Sequence, residues 1–190
     1  MCLGIAGRRT DGDDDLYSGD GWTGRDANRQ ELCVWGVLPE KNVLFVPSYG
    51  GEQRGGASNC AIMLSDGRIG APCVKKYDIV VYMNQGTYET YSDAVNQRGT
   101  AILNTSMVYS ERDDGVRKVR VNATEEAEAM GSAKVANMVM LGALAGTQKV
   151  VDPAFIAEAI RKKWSKIPQT MEMNERAFAR GMEIAAAQLS

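Results

Sequence analysis

The stretch that decides the fold reads Val43-Leu44-Phe45-Val46-Pro47-Ser48-Tyr49-Gly50-Gly51-Glu52-Gln53-Arg54-Gly55-Gly56-Ala57-Ser58-Asn59-Cys60-Ala61-Ile62-Met63-Leu64. Its two apolar ends, residues 43–46 and 60–64, have the composition of short buried strands bounded by proline and glycine. Between them lies a loop with four glycines, Gly50, Gly51, Gly55 and Gly56. Glycine enters positive φ without strain, so backbone N–H groups in such a loop can approach a ligand or a neighbouring subunit closely. Arg54 adds a planar donor fork suited to carboxylate or phosphate. From composition alone, an ordinary structured turn with an exposed ion pair accounts for the loop equally well.

Working outward, Ile79-Val80-Val81-Tyr82-Met83 is a continuous apolar run, as expected of a strand covered on both faces within a parallel sheet. Asn84 is placed to cap a helix running to about Gln97, with Tyr88, Tyr91 and Val95 at helical spacing. Ala101-Ile102-Leu103-Asn104 and Val119-Arg120-Val121 read as strands, and Thr124 with Glu125, Glu126 and Glu128 puts acids into a first helical turn. A helix over residues 133–145 is apolar on most of its circumference and must be buried. Its Gly142, Ala143 and Gly146 permit a neighbouring backbone to come close, while its Asn137 needs hydrogen-bond partners if covered. Asp152-Pro153 opens a further helix to about Trp164. The last helix lines up Met171, Phe178, Met182, Ala185 and Leu189 on one stripe. Strands alternating with helices predict an α/β, three-layer domain with a mostly parallel sheet.

At 190 residues and 44% hydrophobic content, the chain is long enough for one domain with a sizeable core. A net charge of −2 argues against a nucleic-acid footprint and gives no reason to invoke a membrane surface. No apolar run approaches the ~20 residues of a transmembrane helix, and the cytoplasm is the expected location. The chain contains no histidine, which removes imidazole acid–base catalysis, Ser-His and Cys-His pairs and histidine metal ligation. Its four cysteines, Cys2, Cys33, Cys60 and Cys73, form no C-x-x-C pair, so no zinc or iron–sulfur site of usual spacing is expected.

The run from Pro47 to Cys60 resembles the gamma subunit, or gamma domain, of the 2-oxoacid:ferredoxin oxidoreductases, which typically read P-S-Y-G-x-E-x-R-G-G-x-x-N-C here. Further matches follow in order: Ser65-Asp66, Ile69-Gly70-Ala71-Pro72, Asp78-Ile79-Val80-Val81 with Met83-Asn84-Gln85, and the run from Ala133 to Leu144. The resemblance covers roughly residues 43 to 180 and implies a Rossmann-like domain over 1–190. It implies a multi-subunit enzyme that oxidatively decarboxylates a 2-oxoacid to an acyl-CoA and reduces ferredoxin. Thiamine diphosphate, magnesium, coenzyme A and iron–sulfur clusters belong to that complex, with none bound by this chain alone. The implied partners are alpha, beta and ferredoxin-like delta subunits, with ferredoxin as acceptor. Tyr49, Gly50, Glu52, Arg54, Gly55, Gly56, Asn59, Asn84 and Asn137 are the candidate ligand or subunit contacts; no catalytic or metal-ligating residue is assigned. A non-catalytic assembly subunit and a free-standing Rossmann-like nucleotide- or CoA-binding module are the alternatives. An intact G-x-G-x-x-G after a strand is missing for the latter.

Residues 8–42 depart from the family pattern. Asp11, Asp13 and Asp15 alternate like calcium ligands, but Leu16 stands where such a loop needs its turn glycine and Trp22 where it needs a bidentate Glu. The composition is that of a solvated irregular loop. The family carries Gly-Gly-Gln at this point, and the codons CGG CGG ACA GAY, one encoding of Arg8-Arg9-Thr10-Asp11, yield those residues when read one base later. We therefore hypothesise a shifted reading frame after Gly7, restored before about Lys41; a genomic sequence unambiguous in the present frame would overturn it.

Overall fold

The computed structural model describes residues 2–7, 42–49, 58–70, 74–147 and 152–189. Its elements are β1 (Cys2–Gly7), β2 (Asn42–Tyr49), β3 (Ser58–Ser65), β4 (Tyr77–Tyr82), α1 (Gln85–Tyr91), β5 (Val95–Asn104), β6 (Arg117–Val121), α2 (Ala123–Ala129), α3 (Ala136–Thr147), α4 (Pro153–Trp164) and α5 (Pro168–Leu189). Short 3-10 turns occupy Ser92–Ala94 and Ala133–Val135. The irregular segment expected over 8–42 lies outside the described residues, apart from Asn42, which opens β2.

The strands form one sheet in the order β2-β3-β1-β4-β5-β6. The β1–β3, β4–β5 and β5–β6 junctions are parallel, whereas β2–β3 and β1–β4 are antiparallel. The sheet is thus mostly parallel, as expected, but reverses once in its middle and once near an edge. Side-chain alternation along each strand sorts the apolar residues onto two faces. Ile62, Leu64, Ile79, Val81, Ile102, Val119 and Val121 meet the helices that follow β6. Val80, Tyr82, Ala101 and Leu103 meet Tyr88 of α1 on the other face. The result is a helix–sheet–helix sandwich.

The helix expected from Asn84 to about Gln97 is shorter than its spacing suggested. It ends at Tyr91, passes through a 3-10 turn, and Val95 already starts β5. Tyr88 and Val95 lie in one buried cluster, against which Tyr91 packs. Tyr88 and Tyr91 share α1, and Val95 continues their spacing because it reaches the same core from β5.

Asn122 precedes α2, and α3 returns along the sheet with Met138 through Ala145 all buried. The covering that the apolar sequence demanded is supplied within this chain, chiefly by α5. The two helices touch backbone to backbone. A Cβ on Gly142 would stand 1.9 Å from the Phe178 carbonyl oxygen, and one on Gly181 1.9 Å from that of Val139. Gly146 continues the seam, 3.0 Å from Met182 O by the same measure. No side chain fits in such a contact, which is why small residues recur along both helices.

An ion pair fixes α5 to α2: Arg180 donates through Nε to Glu126 Oε2 at 2.9 Å and through Nη2 to Oε1 at 3.0 Å. The guanidinium holds the Glu126 carboxyl below its ordinary value, against a smaller opposing effect of burial.

Two predictions follow from this packing. Gly142→Ala and Gly181→Ala should each destabilise the chain by roughly 3 kcal/mol or more, overriding the ~1 kcal/mol gained in helix propensity. Gly86→Ala should be neutral or mildly stabilising, because the nearest atom to its Cβ is Asn84 Oδ1 at 3.7 Å. Chemical denaturation of the three variants checks this contrast, and equal midpoints would reject the seam. The Glu126 pair adds stability that is present above the carboxyl's unfolded pKa and is lost as pH falls through its depressed folded value. Arg180→Met should therefore cost at most about 1 kcal/mol near neutrality, since Arg180 is 43% exposed. The difference from wild type should vanish in acid, as read by denaturant midpoints across a pH series.

Candidate functional site

One edge of the sheet gathers the chemistry-bearing residues. Because β1 and β3 run opposite to β2, β4, β5 and β6, the carboxyl ends of the latter four align with the starts of the former two. Across this edge, Tyr49 is paired with Ser58, Asn59 with both Cys2 and Ser48, and Cys2 with Tyr82. Tyr82 pairs with Leu103, and Asn104 with Val121. The glycine-rich segment leaves β2 and rejoins β3 at this edge. In open α/β sheets, ligands bind outside the carboxyl ends of strands, where strand order reverses.

Of the sequence-predicted residues, the structure brings the Tyr49 backbone, Asn59 and Asn84 to this edge. Asn59 Nδ2 donates to the Tyr91 hydroxyl at 2.6 Å, joining the start of β3 to the end of α1. Tyr82 adds a bond from its hydroxyl to the Tyr91 carbonyl at 2.7 Å. Asn84 is the N-cap of α1: its Oδ1 accepts from Thr87 N at 3.0 Å, and its carbonyl accepts from the Thr87 hydroxyl at 2.9 Å. Gly50, Glu52, Arg54, Gly55 and Gly56 lie outside the described residues. Asn137 is not brought to the edge. It sits half-buried at the start of α3, beyond the far end of α2, whose seven residues carry the chain about 10 Å away.

Two residues that sequence reasoning passed over prove central. Asn104 ends β5 at 1% exposure. Its Nδ2 donates to the Met83 carbonyl at 3.3 Å and to Thr124 Oγ1 at 3.0 Å, tying together the exits of β4, β5 and β6. Its Oδ1 is buried with no hydrogen-bond partner. Gln85, also buried, accepts through Oε1 from the backbone N–H groups of Tyr109 and Ser110 at 3.0 and 3.1 Å. Its Nε2 donates to Ser110 O and to Glu89. The Arg112 N–H donates to the Tyr88 hydroxyl at 2.9 Å. The loop after β5 is thereby pinned onto α1, presenting Tyr109 at 84% exposure and Met107 at 48%. Both Asn104 and Gln85 were readable only as a polar residue closing an apolar run and a polar residue opening a helix; neither position is marked by spacing.

Among the described residues, no three carboxylate, thiol or imidazole groups converge on a point that would hold a metal ion. Also among them, no helix is long and apolar enough to cross a membrane.

Comparison with known proteins places this geometry. Residues 34–184 match the family described as pyruvate ferredoxin/flavodoxin oxidoreductase. The chain belongs to that family. Among its relatives, 2-oxoglutarate synthase subunit KorC of Methanothermobacter marburgensis is 40% identical over 144 residues, 72% of this chain and 76% of KorC. Ketoisovalerate oxidoreductase subunit VorA of Methanothermobacter thermautotrophicus is 34% identical over 146 residues. That match takes in 76% of this chain but only 30% of VorA, so the chain spans about a third of that relative's length. The gamma subunit of a keto/oxoacid ferredoxin oxidoreductase from Geobacter sulfurreducens superposes with a TM-score of 0.68 at 24% identity, covering 98% of both chains. At that identity the likeness shows a shared fold. The resemblance read from residues 47–60 and the α/β fold expected from it agree with these findings.

Within this pyruvate ferredoxin/flavodoxin oxidoreductase fold, the weight on Asn104 yields a test. Asn104→Ala should cost about 2 kcal/mol, since it strands the Met83 carbonyl and the Thr124 hydroxyl. Asn104→Asp should cost more at neutral pH, because it buries a charge against a carbonyl oxygen. That excess should shrink as pH falls, since a buried carboxyl has a raised pKa and is tolerated once protonated. Thermal melts of both variants across pH check the sign; an Asp variant unaffected by pH would show that the edge is solvated.

Proposed function

We propose that this chain is the gamma subunit of a 2-oxoacid:ferredoxin oxidoreductase, a complex that oxidatively decarboxylates a 2-oxoacid to an acyl-CoA and reduces ferredoxin. The observation that carries this reading is the joint one. The KorC match takes in most of both chains, and the Geobacter gamma subunit covers the same fold from end to end. The names of the relatives favour 2-oxoglutarate or a branched-chain 2-oxoacid as substrate. The domain is taken as one gamma-type unit over 1–190, with residues 8–42 as an atypical segment, acting in the cytoplasm.

In this reading the chain holds partners and ligand rather than breaking bonds. The sequence has no histidine, and the residues assigned to contacts are chiefly carboxamides and the Glu52–Arg54 loop. Thiamine diphosphate and the clusters then sit in alpha, beta and ferredoxin-like delta subunits. When bound, thiamine diphosphate supplies the carbanion chemistry of decarboxylation. The role of this chain is at the sheet edge. The carboxyl end of β2 and the start of β3 fix both ends of the glycine-rich loop, and Asn59 and Asn84 hold the neighbouring turn. Tyr49, Gly50, Glu52, Arg54, Gly55, Gly56, Asn59 and Asn84 form the contact surface for coenzyme A or an adjoining subunit; Asn137 contacts a partner separately.

Co-expression with the candidate alpha, beta and delta subunits tests the assignment. The tagged chain should retain all three and restore 2-oxoacid- and CoA-dependent ferredoxin reduction. A complex fully active without it would refute the assignment. Within the complex, Arg54→Ala should lower CoA-dependent turnover or subunit retention by about tenfold, the loss of one hydrogen bond to a charged group. The melting point of the free chain should stay unchanged. Turnover and co-purification equal to wild type would reject a role for this loop.

A further inference from the structure

We propose that Gln188 acts as a surrogate strand, closing the outer edge of β6 and keeping the free chain from pairing edge to edge with a second copy of itself. Among the described residues, β6 ends the strand order, with β5 on its inner side only. Such an edge offers a row of main-chain donors and acceptors to any passing strand. The main-chain groups of Arg120 are not left open in that way. Its N–H donates to Gln188 Oε1 at 2.9 Å, and its carbonyl accepts from Gln188 Nε2 at 2.6 Å.

This closed pair of bonds reproduces what a residue of a neighbouring strand would make. A carboxamide is the side-chain equivalent of a peptide group, with one acceptor face and one donor face held in a plane. The two residues are 68 apart in sequence, so the contact is tertiary. Gln188 lies in the last turn of α5, where an exposed glutamine would ordinarily face water. Here its Nε2 also donates to Ile184 O at 3.3 Å, one turn back, which orients the carboxamide. The seam at Gly142 and Gly181 and the Arg180–Glu126 pair fix the rest of α5 over β6.

A second layer of protection comes from charge. Arg117 and Arg120 are exposed on β6, and pairing two copies along this edge would bring like charges together. Arg120 is already engaged by Glu111 through Nε and Nη2 at 3.0 and 2.7 Å, so part of that repulsion is neutralised. At Arg120, on this short edge, the carboxamide is then the group that takes the place of a neighbouring strand.

The test uses the full chain with Gln188→Ala, and Gln188→Glu as a second variant that keeps the acceptor but removes the donor. Residue-resolved NMR hydrogen exchange should show the Arg120 amide exchanging about tenfold faster in Gln188→Ala. Sedimentation should show that variant's mean mass rising with concentration while wild type stays monomeric, with Gln188→Glu intermediate. In the associated fraction the Arg120 amide should regain protection. Unchanged exchange at Arg120, faster exchange without association, association that leaves Arg120 unprotected, or a wild type that associates equally would each overturn the proposal.

Discussion

The contact between α3 and α5 sets the position of most of what surrounds it. Gly142 meets the Phe178 carbonyl while Gly181 meets that of Val139, so each helix offers a bare backbone to the other's oxygen. Approach this close replaces side-chain interdigitation with Cα–H···O contacts, each of about 0.5–1 kcal/mol. Ala143, Ala177 and Ala185, all fully buried, extend the same smooth surface. The seam brings α5 near enough for Arg180 to reach Glu126 on α2 and for Gln188 to reach Arg120 on β6. A helix held even one methyl group further out would strain both contacts.

How much of this was legible in the sequence depended on whether the signal was local. The buried nature of α3 followed from its composition, and the glycines within it announced a close neighbour, though not which one. The strands at 79–82 and 101–104 declared themselves by apolar, β-branched runs. The direction of β4 relative to β1 did not, because parallel and antiparallel neighbours place the same residues in the same pleat. Tyr88, Tyr91 and Val95 misled for a related reason. Residues converging on one core can mimic helical spacing even when the chain turns between them.

The edge was half readable. The glycine-rich stretch with Glu52 and Arg54 stood out because glycine and charge are conspicuous between apolar strands. Asn104 and Gln85 did not, since a carboxamide is common in loops and helix starts, and nothing in its neighbours tells whether it will be buried. What distinguishes them is nonlocal: Asn104 meets Met83 and Thr124, and Gln85 meets a loop more than twenty residues away. Sequence spacing carries no trace of such pairings.

A common chemistry links these positions. Among the described residues, the buried polar side chains are Ser65, Gln85, Thr87, Ser92, Thr100, Asn104 and Asn174, none of which ionises in the ordinary pH range. Carboxamides and hydroxyls donate and accept together, so each can bridge two elements without the desolvation penalty of a buried charge. A scaffold tied in this way keeps its shape across pH, with charged groups held in pairs such as Arg180–Glu126 and Lys118–Asp114. The edge is therefore built as a neutral, fixed rim.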